Sequence, residues 1–292
     1  MTSVITLIAA REATSLTGTT IGLVRDAIGG GSLTVLSPGE AVDLACGSAP
    51  DLERVRTALA GTSIDAIATR TEARRKRLLI ADMDSTIITS ETLDELAVYA
   101  GLGEKIAAIT ARAMNGELDF KAALLERVGM LKGLSVDALD QTWQGIRLTQ
   151  GALELVATMK AHGAFTALVS GGFTFFTGRV AARVGFDLHR ANELLDDGAV
   201  LLGRVGEPIL DRSSKLATLR QLTACRGLAA ADTLAVGDGA NDLDMLLAAG
   251  LGVAFHAKPI VAASAQARVD HGNLRALLFA QGYPATAFAT VG

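Results

Sequence analysis

The chain has 292 residues, 50% hydrophobic and 20% charged, with 27 Lys+Arg against 31 Asp+Glu for a net charge of −4. That length suits two domains with sizeable cores, and the basic residues are not massed in one stripe, which argues against nucleic acid as a partner. Cys46 and Cys225 stand far apart with no Cys/His cluster, and the longest charge-free stretch, Lys160 to Arg179, is broken by glycines, so a disulfide framework, a zinc site and a membrane span are all disfavoured and a reduced, cytoplasmic protein is expected.

Residues 1–75 read as one unit. Val4–Ile8 is a strand, 16–28 a helix stopped by Gly29-Gly30-Gly31, Leu33–Leu36 and Ala41–Ala45 two further strands, Asp51–Leu59 a helix and Ile64–Ala68 a fourth strand. The order βαββαβ is the ferredoxin-like split pattern, an α+β unit. Its topology resembles an ACT-type regulatory domain. No Asp-x-Pro-Gly type ligand turn opens the first helix, so a structural or dimerising role is expected of it, and the whole protein as a monomer or homodimer.

After a charged linker at 71–77, Leu78-Leu79-Ile80-Ala81 reads as a short buried strand that ends in Asp82-Met83-Asp84-Ser85-Thr86. Acids just past the carboxyl end of a strand in an α/β sheet sit where ligands bind. If the chain stays extended to position 84, Asp82 and Asp84 point the same way, and like charges so close call for a cation or a proton. The other reading is that Asp84-Ser85-Thr86 caps the next helix. Residues 91–145 carry helical periodicity and no strand, a cap inserted over the site.

The remainder of the chain, 76–292 with that insert, alternates strand and helix. Gly151–His162 is a helix and Phe165–Val169 a strand ending in Ser170-Gly171-Gly172, a corner suited either to an anion or to a plain tight turn. A β-ribbon follows over 191–205, then a helix, 213–222, with Lys215 near its start. Thr233–Val236 is a buried strand ending in Gly237-Asp238-Gly239-Ala240-Asn241-Asp242, more polar groups than a turn needs. Leu251–Phe255 is a last strand and Pro259–Ala267 a helix. Such alternation predicts a doubly wound parallel sheet, an α/β fold.

In order, strand–Asp82-x-Asp84, strand–Ser170-Gly171, helix–Lys215 and strand–Gly237-Asp238-x-x-Asn241-Asp242 resemble the haloacid dehalogenase (HAD) superfamily, and with Glu91 and the cap segment Met114–Arg127 the chain is similar to its phosphoserine phosphatases. The resemblance implies hydrolysis of O-phospho-L-serine, the last step of serine biosynthesis. Asp82 would be the nucleophile and Asp84 the general acid and base. Mg2+ would lie among Asp82, the carbonyl of Asp84, Asp238 and Asp242. Ser170, Gly171, Lys215 and Asn241 would surround the phosphoryl group, and Glu91, Met114, Phe120 and Arg127 the serine end. Other phosphoryl-transfer enzymes share the same core, so the cap residues discriminate. An amino-acid sensor would not need the intact catalytic set, and a dinucleotide fold would need a third glycine where Asp242 stands.

Overall fold

The computed structural model of the protein describes residues 3–47, 49–115 and 117–290. The N-terminal unit runs β1 (Ser3–Ala9), α1 (Gly18–Ala27), β2 (Leu33–Ser37), β3 (Ala41–Cys46), α2 (Leu52–Ala58) and β4 (Ile64–Arg70). Its sheet is antiparallel in the order β2-β3-β1-β4. Side-chain alternation gives the sheet two apolar faces: Ile5 and Leu7 pack with Val24 and Val55 of the two helices, whereas Ile8, Ala41 and Ile67 belong to the core of the rest of the molecule. Both helices start on a side-chain cap: Thr17 accepts from the Thr20 N–H, and Asp51 from those of Glu53 and Arg54.

The second unit begins at β5 (Leu78–Ala81), whose four residues are all fully buried. Four cap helices follow, α3 (Thr92–Tyr99), α4 (Gly103–Met114), α5 (Phe120–Gly129) and α6 (Asp137–Gly145). The chain then returns through α7 (Ala152–Ala161), β6 (Phe165–Phe173), α8 (Thr174–Val184) and β7 (Leu188–Asn192). After a hairpin of β8 (Leu194–Asp196) and β9 (Leu201–Val205) come α9 (Arg212–Cys225), β10 (Thr233–Gly237), α10 (Leu243–Ala248), β11 (Leu251–Phe255), α11 (Pro259–Ser264), β12 (Ala267–Val269) and α12 (Ala276–Ala280). Six of these strands form one parallel sheet, β12-β11-β10-β5-β6-β7. Leu78 and Ile80 face Leu219, Met245 and Val261 on one side, and Leu79 and Ala81 face the core that includes Leu155, Phe176 and Leu277 on the other. A sheet covered on both faces has only its strand ends open, and the site lies there.

Three expected elements differ. The strand foreseen to end at Val169 continues to Phe173, because Ser170-Gly171-Gly172 stay beside β7 through a shift of register. The ribbon foreseen over 191–205 divides: β7 joins the main sheet as its edge, and only β8 and β9 pair as a hairpin. The helix foreseen to Ala267 ends at Ser264, since Ala267 and Val269 pair with Val253 and Phe255 and that pairing overrides alanine's helical preference.

The two units are joined by polar ties in partly buried surroundings. Asp65 of β4 accepts hydrogen bonds from the N–H groups of Asp270 (2.7 Å), His271 (3.2 Å) and Gly272 (2.7 Å), in the turn after β12. Arg74 grips Asp43 with Nη1 (2.6 Å) and Nη2 (2.7 Å), and its Nε donates to the Ala280 carbonyl at 3.0 Å. Glu40 meets Arg275 at 3.0 Å. Truncating Asp65 leaves several buried N–H groups without an acceptor. Asp65→Ala should therefore lower the unfolding free energy by about 2–3 kcal/mol, read as a shift of the urea midpoint by circular dichroism, and an unchanged midpoint would refute the role of this carboxylate in the joint.

Candidate active site

Three adjacent strands, β10, β5 and β6, deliver the acids and the hydroxyl. Asp82 follows β5, Ser170 lies in the last turn of β6 and Asp238 follows β10; they are 3%, 2% and 2% exposed, so ordinary solvation of their polar groups is gone. The extended backbone of β5 continues to Asp82 (φ −70°, ψ 160°) and is followed by an irregular turn over Met83–Ile87, in which Asp84 is extended (φ −63°, ψ 138°) and Ser85, a non-glycine residue, lies at φ 53°, so the unbroken extension to position 84 weighed from the sequence is replaced by this turn. This bend puts both carboxylates of the Asp82-Met83-Asp84 stretch inside the site.

The two have different partners. Asp82 Oδ1 accepts from the Met83 N–H (2.8 Å) and from Lys215 Nζ (2.7 Å). Asp84 Oδ1 accepts from the Thr92 N–H (2.8 Å) and its Oδ2 from the Ser170 hydroxyl (3.1 Å). Asp84 thus also serves the first turn of α3, where Glu91 in the cap position makes no side-chain bond to the helix backbone. Burial raises the pKa of both aspartates; for Asp82 the negative charge of Asp242 adds to it and Lys215 opposes it, and for Asp84 the bonds from Thr92 and Ser170 oppose it.

Asp82, Asp238 and Asp242 each offer an oxygen within 4.8 Å of the others. Oδ2 of Asp238 and Oδ1 of Asn241 are buried and have no hydrogen-bond partner. Hard oxygen donors, two of them orphaned, fit a hard divalent cation. Burial, and next the charge of Asp242, push Asp238 up to about 7. The carboxylate of Asp84 is not in this cluster, being turned to Thr92 and Ser170, so only its carbonyl remains as the ligand foreseen from the sequence. Thr86 donates to Asp238 at 3.3 Å and the Lys258 N–H to the Asp238 carbonyl at 3.0 Å, fixing the loop after β10.

Lys215 is not on a solvated face. It is 2% exposed and bridges Asp82 (2.7 Å) to Asp242 (2.6 Å). Burial opposes its charge, but the two aspartates outweigh it and its pKa lies above the usual lysine value. Close packing is written into the glycines here. A Cβ on Gly237 would meet Asp242 Cγ at 2.3 Å, and one on Gly171 would meet the Phe120 ring at 2.5 Å.

The cap closes over this floor. Glu91, Phe120, Leu124 and Arg127 face Asp82, Asp84, Ser170 and Gly171 across a cavity of about 30 Å3. Burial and then the charges of Asp84 and Asp238 lift Glu91 to about 8, against a 2.7 Å bond from the Ser85 hydroxyl. Arg127, 4% exposed, donates from Nε to the Ala123 carbonyl (3.0 Å) and from Nη1 to Thr110 Oγ1 (2.8 Å). Glu91 and Arg127 are therefore not a surface ion pair. The backbone of Met114 ends α4, and its side chain lies outside the described residues. The sequence reading missed Ser85, Thr86 and Thr92. Their hydroxyl and N–H groups read only as capping residues, because partners far along the chain leave no local pattern.

The family model for haloacid dehalogenase-like hydrolase (HAD) matches residues 79–247. A phosphoserine phosphatase of Streptomyces coelicolor is 42% identical over 84% of this chain and 61% of its own length. The chain spans less than two thirds of the length of the first curated relatives it matches. Among solved structures, a probable phosphoserine phosphatase from Vibrio cholerae superposes with a TM-score of 0.78 at 33% identity, covering 98% of this chain and 88% of that one. A phospho-aspartyl intermediate analogue of phosphoserine phosphatase gives 0.67 at 38% identity, covering 70% of this chain and 98% of that one. The matched segment runs from β5 through the cap to α10 and contains each acidic strand end described above. By that match, over more than half its length, the chain belongs to the haloacid dehalogenase-like hydrolase family.

Proposed function

We propose that the protein is a phosphoserine phosphatase, hydrolysing O-phospho-L-serine to L-serine and phosphate as the last step of serine biosynthesis. The observation that carries this reading is the cap: an acid and an arginine, Glu91 and Arg127, face the cavity above Asp82 without being paired to each other. A small zwitterion answers both. Glu91 meets the ammonium and Arg127 the carboxylate, with Phe120 and Met114 as the apolar wall. The homologues' names and the phospho-aspartyl analogue of a similar enzyme support the same chemistry.

In this reading Asp82 attacks phosphorus, forming the aspartyl-phosphate bond as the P–O bond to serine breaks. Asp84 gives its proton to the leaving serine oxygen; burial keeps that proton available. Asp84 then takes a proton from water, whose oxygen attacks phosphorus and releases phosphate and Asp82. Ser170, the Gly171 backbone and Lys215 hold the phosphoryl oxygens, with Asn241 beside them. Mg2+ suits Asp82, Asp238, Asp242 and the Asp84 carbonyl, and when bound it supplies positive charge against the repulsion of a carboxylate and a phosphate dianion.

For the N-terminal unit the reading is an ACT-like structural or dimerising domain, supported by its sheet order and its fixed seat on the catalytic unit. A cytoplasmic setting is supported by two unpaired cysteines, Cys46 and Cys225. Among the described residues no helix is long and apolar enough to cross a membrane.

The deciding experiment is phosphate release from a panel of phosphorylated metabolites, with Mg2+ and with EDTA. A metal-dependent preference for L-phosphoserine is expected; activity spread over sugar phosphates would overturn the substrate and leave the core chemistry. Arg127→Ala should cost phosphoserine at least ~30-fold in kcat/KM, from about 2 kcal/mol for a lost buried charge contact, and leave p-nitrophenyl phosphate within about threefold. Equal losses on both would refute the cap assignment. Because Asp238 holds a proton up to about pH 7 in the metal-free protein, metal must displace it. Affinity should rise as pH increases through about 7; calorimetry in two buffers of different ionisation enthalpy should show more proton release at pH 6 than at pH 8.

A further inference from the structure

Arg127 is buried near three acids, Asp94, Glu91 and Asp84, whose charges all bear on it. Yet both of its hydrogen bonds go to neutral oxygens, the Ala123 carbonyl and Thr110 Oγ1. Within Arg127's own helix the Ala123 carbonyl holds only Nε, which leaves open what keeps the Nη groups from turning to Glu91.

Thr110 supplies the reason. It lies on α4, is 3% exposed, and its single hydroxyl proton has two acceptors in reach: Asp94 Oδ1 at 2.5 Å and the Ile106 carbonyl at 3.1 Å. Asp94 Oδ1 is the nearer acceptor. With the proton turned to Asp94, a lone pair of Oγ1 is turned to Arg127 Nη1. The chain Asp94–Thr110–Arg127 thus ties α3, α4 and α5 together through one oxygen. It also sorts the donors of the guanidinium. Nε is taken by Ala123, which removes the side-on edge, so a carboxylate in the cavity is met by the Nη groups. The charge of Asp94 bears on Arg127, and Asp94 is not among the residues that line the cavity.

We infer that Thr110, oriented by Asp94, is the positioning residue that holds Arg127 clear of Glu91 and presents its Nη edge to a carboxylate-bearing substrate, an inference that rests on the proposed role of Arg127. Two residues that never touch the substrate thereby set the preference for an amino acid phosphate over a simple phosphate ester.

The test compares Thr110→Val, which keeps the shape and removes the hydroxyl, with Thr110→Ser, which restores it, on O-phospho-L-serine and p-nitrophenyl phosphate. In Thr110→Val the KM for phosphoserine should rise by about tenfold or more while kcat on either substrate stays within about threefold, since only an oriented donor is lost. Thr110→Ser should return KM to near the wild-type value. Equal loss on both substrates, an unchanged KM, or no rescue by serine would overturn the inference. Should Thr110→Val not fold, Thr110→Ala carries the test: it also removes the acceptor of Arg127 Nη1, so the same rise in phosphoserine KM is expected, and a uniform loss on both substrates overturns the inference. A wild-type enzyme with no preference for phosphoserine would instead fail the reading beneath it, a result visible before any variant is made.

Discussion

The constraint on which the site depends is an excess of buried negative charge. Asp82, Asp84, Asp238 and Asp242 meet at two neighbouring strand ends, with Lys215 as the buried cation among them. Such a cluster cannot remain fully ionised in a medium of low polarity. It must take up protons, as the raised pKa values of Asp82, Asp84 and Asp238 express, or a metal. In the proposed reaction a phosphate dianion at Asp82 would make the imbalance worse, so the same arrangement that is costly for the empty fold would call for a divalent cation. Lys215 cannot meet that demand alone, because its ammonium already serves two aspartates.

Much of this was legible in the sequence, and for a definite reason. Asp82, Asp84, Asp238, Asn241 and Asp242 follow runs of buried apolar residues, and a strand's period and its end are local signals. Lys215 was legible only as part of an ordered set; its helix alone suggests a solvated face, and burial at 2% comes from strands distant in sequence. The partners Thr92, Ser85 and Thr110 were not legible, since a hydroxyl or N–H carries no mark of the distant carboxylate it meets. The C-terminal β12 and α12 escaped as well. Their segments, Ala267–Val269 and Ala276–Ala280, are too short to display a period, and they take their form from β11 and from the N-terminal sheet.

The cap imposes the second condition. Glu91, Phe120, Leu124 and Arg127 face Asp82, Asp84 and Ser170 across a narrow cavity. A Cβ on Gly171 would meet the Phe120 ring at 2.5 Å, so glycine is required there. In the proposed reading Glu91 and Arg127 act in a poorly screened space, which strengthens their hold on a zwitterion.

The N-terminal unit braces part of the floor. Asp65 fills the turn at 270–272 with hydrogen bonds from three backbone N–H groups. The same turn supports the neighbouring loop: the His256 N–H donates to the Val269 carbonyl at 2.8 Å, and His256 Nε2 bonds the Gly272 carbonyl at 2.7 Å. Two residues further on, Lys258 donates to the carbonyl of Asp238. The loop that braces Asp238 is therefore itself braced by a carboxylate from the other unit. His256 holds a left-handed backbone (φ 44°) that a free loop would relax, and its bonds on both sides are what maintain it. Packing joins all three parts: cap residues Leu93, Leu96, Leu124 and Val128 share one buried apolar core with Ala81 and Phe173 of the floor, and the N-terminal sheet is tied to the turn behind the site by a carboxylate and backbone N–H groups, where separation would leave each group without a partner.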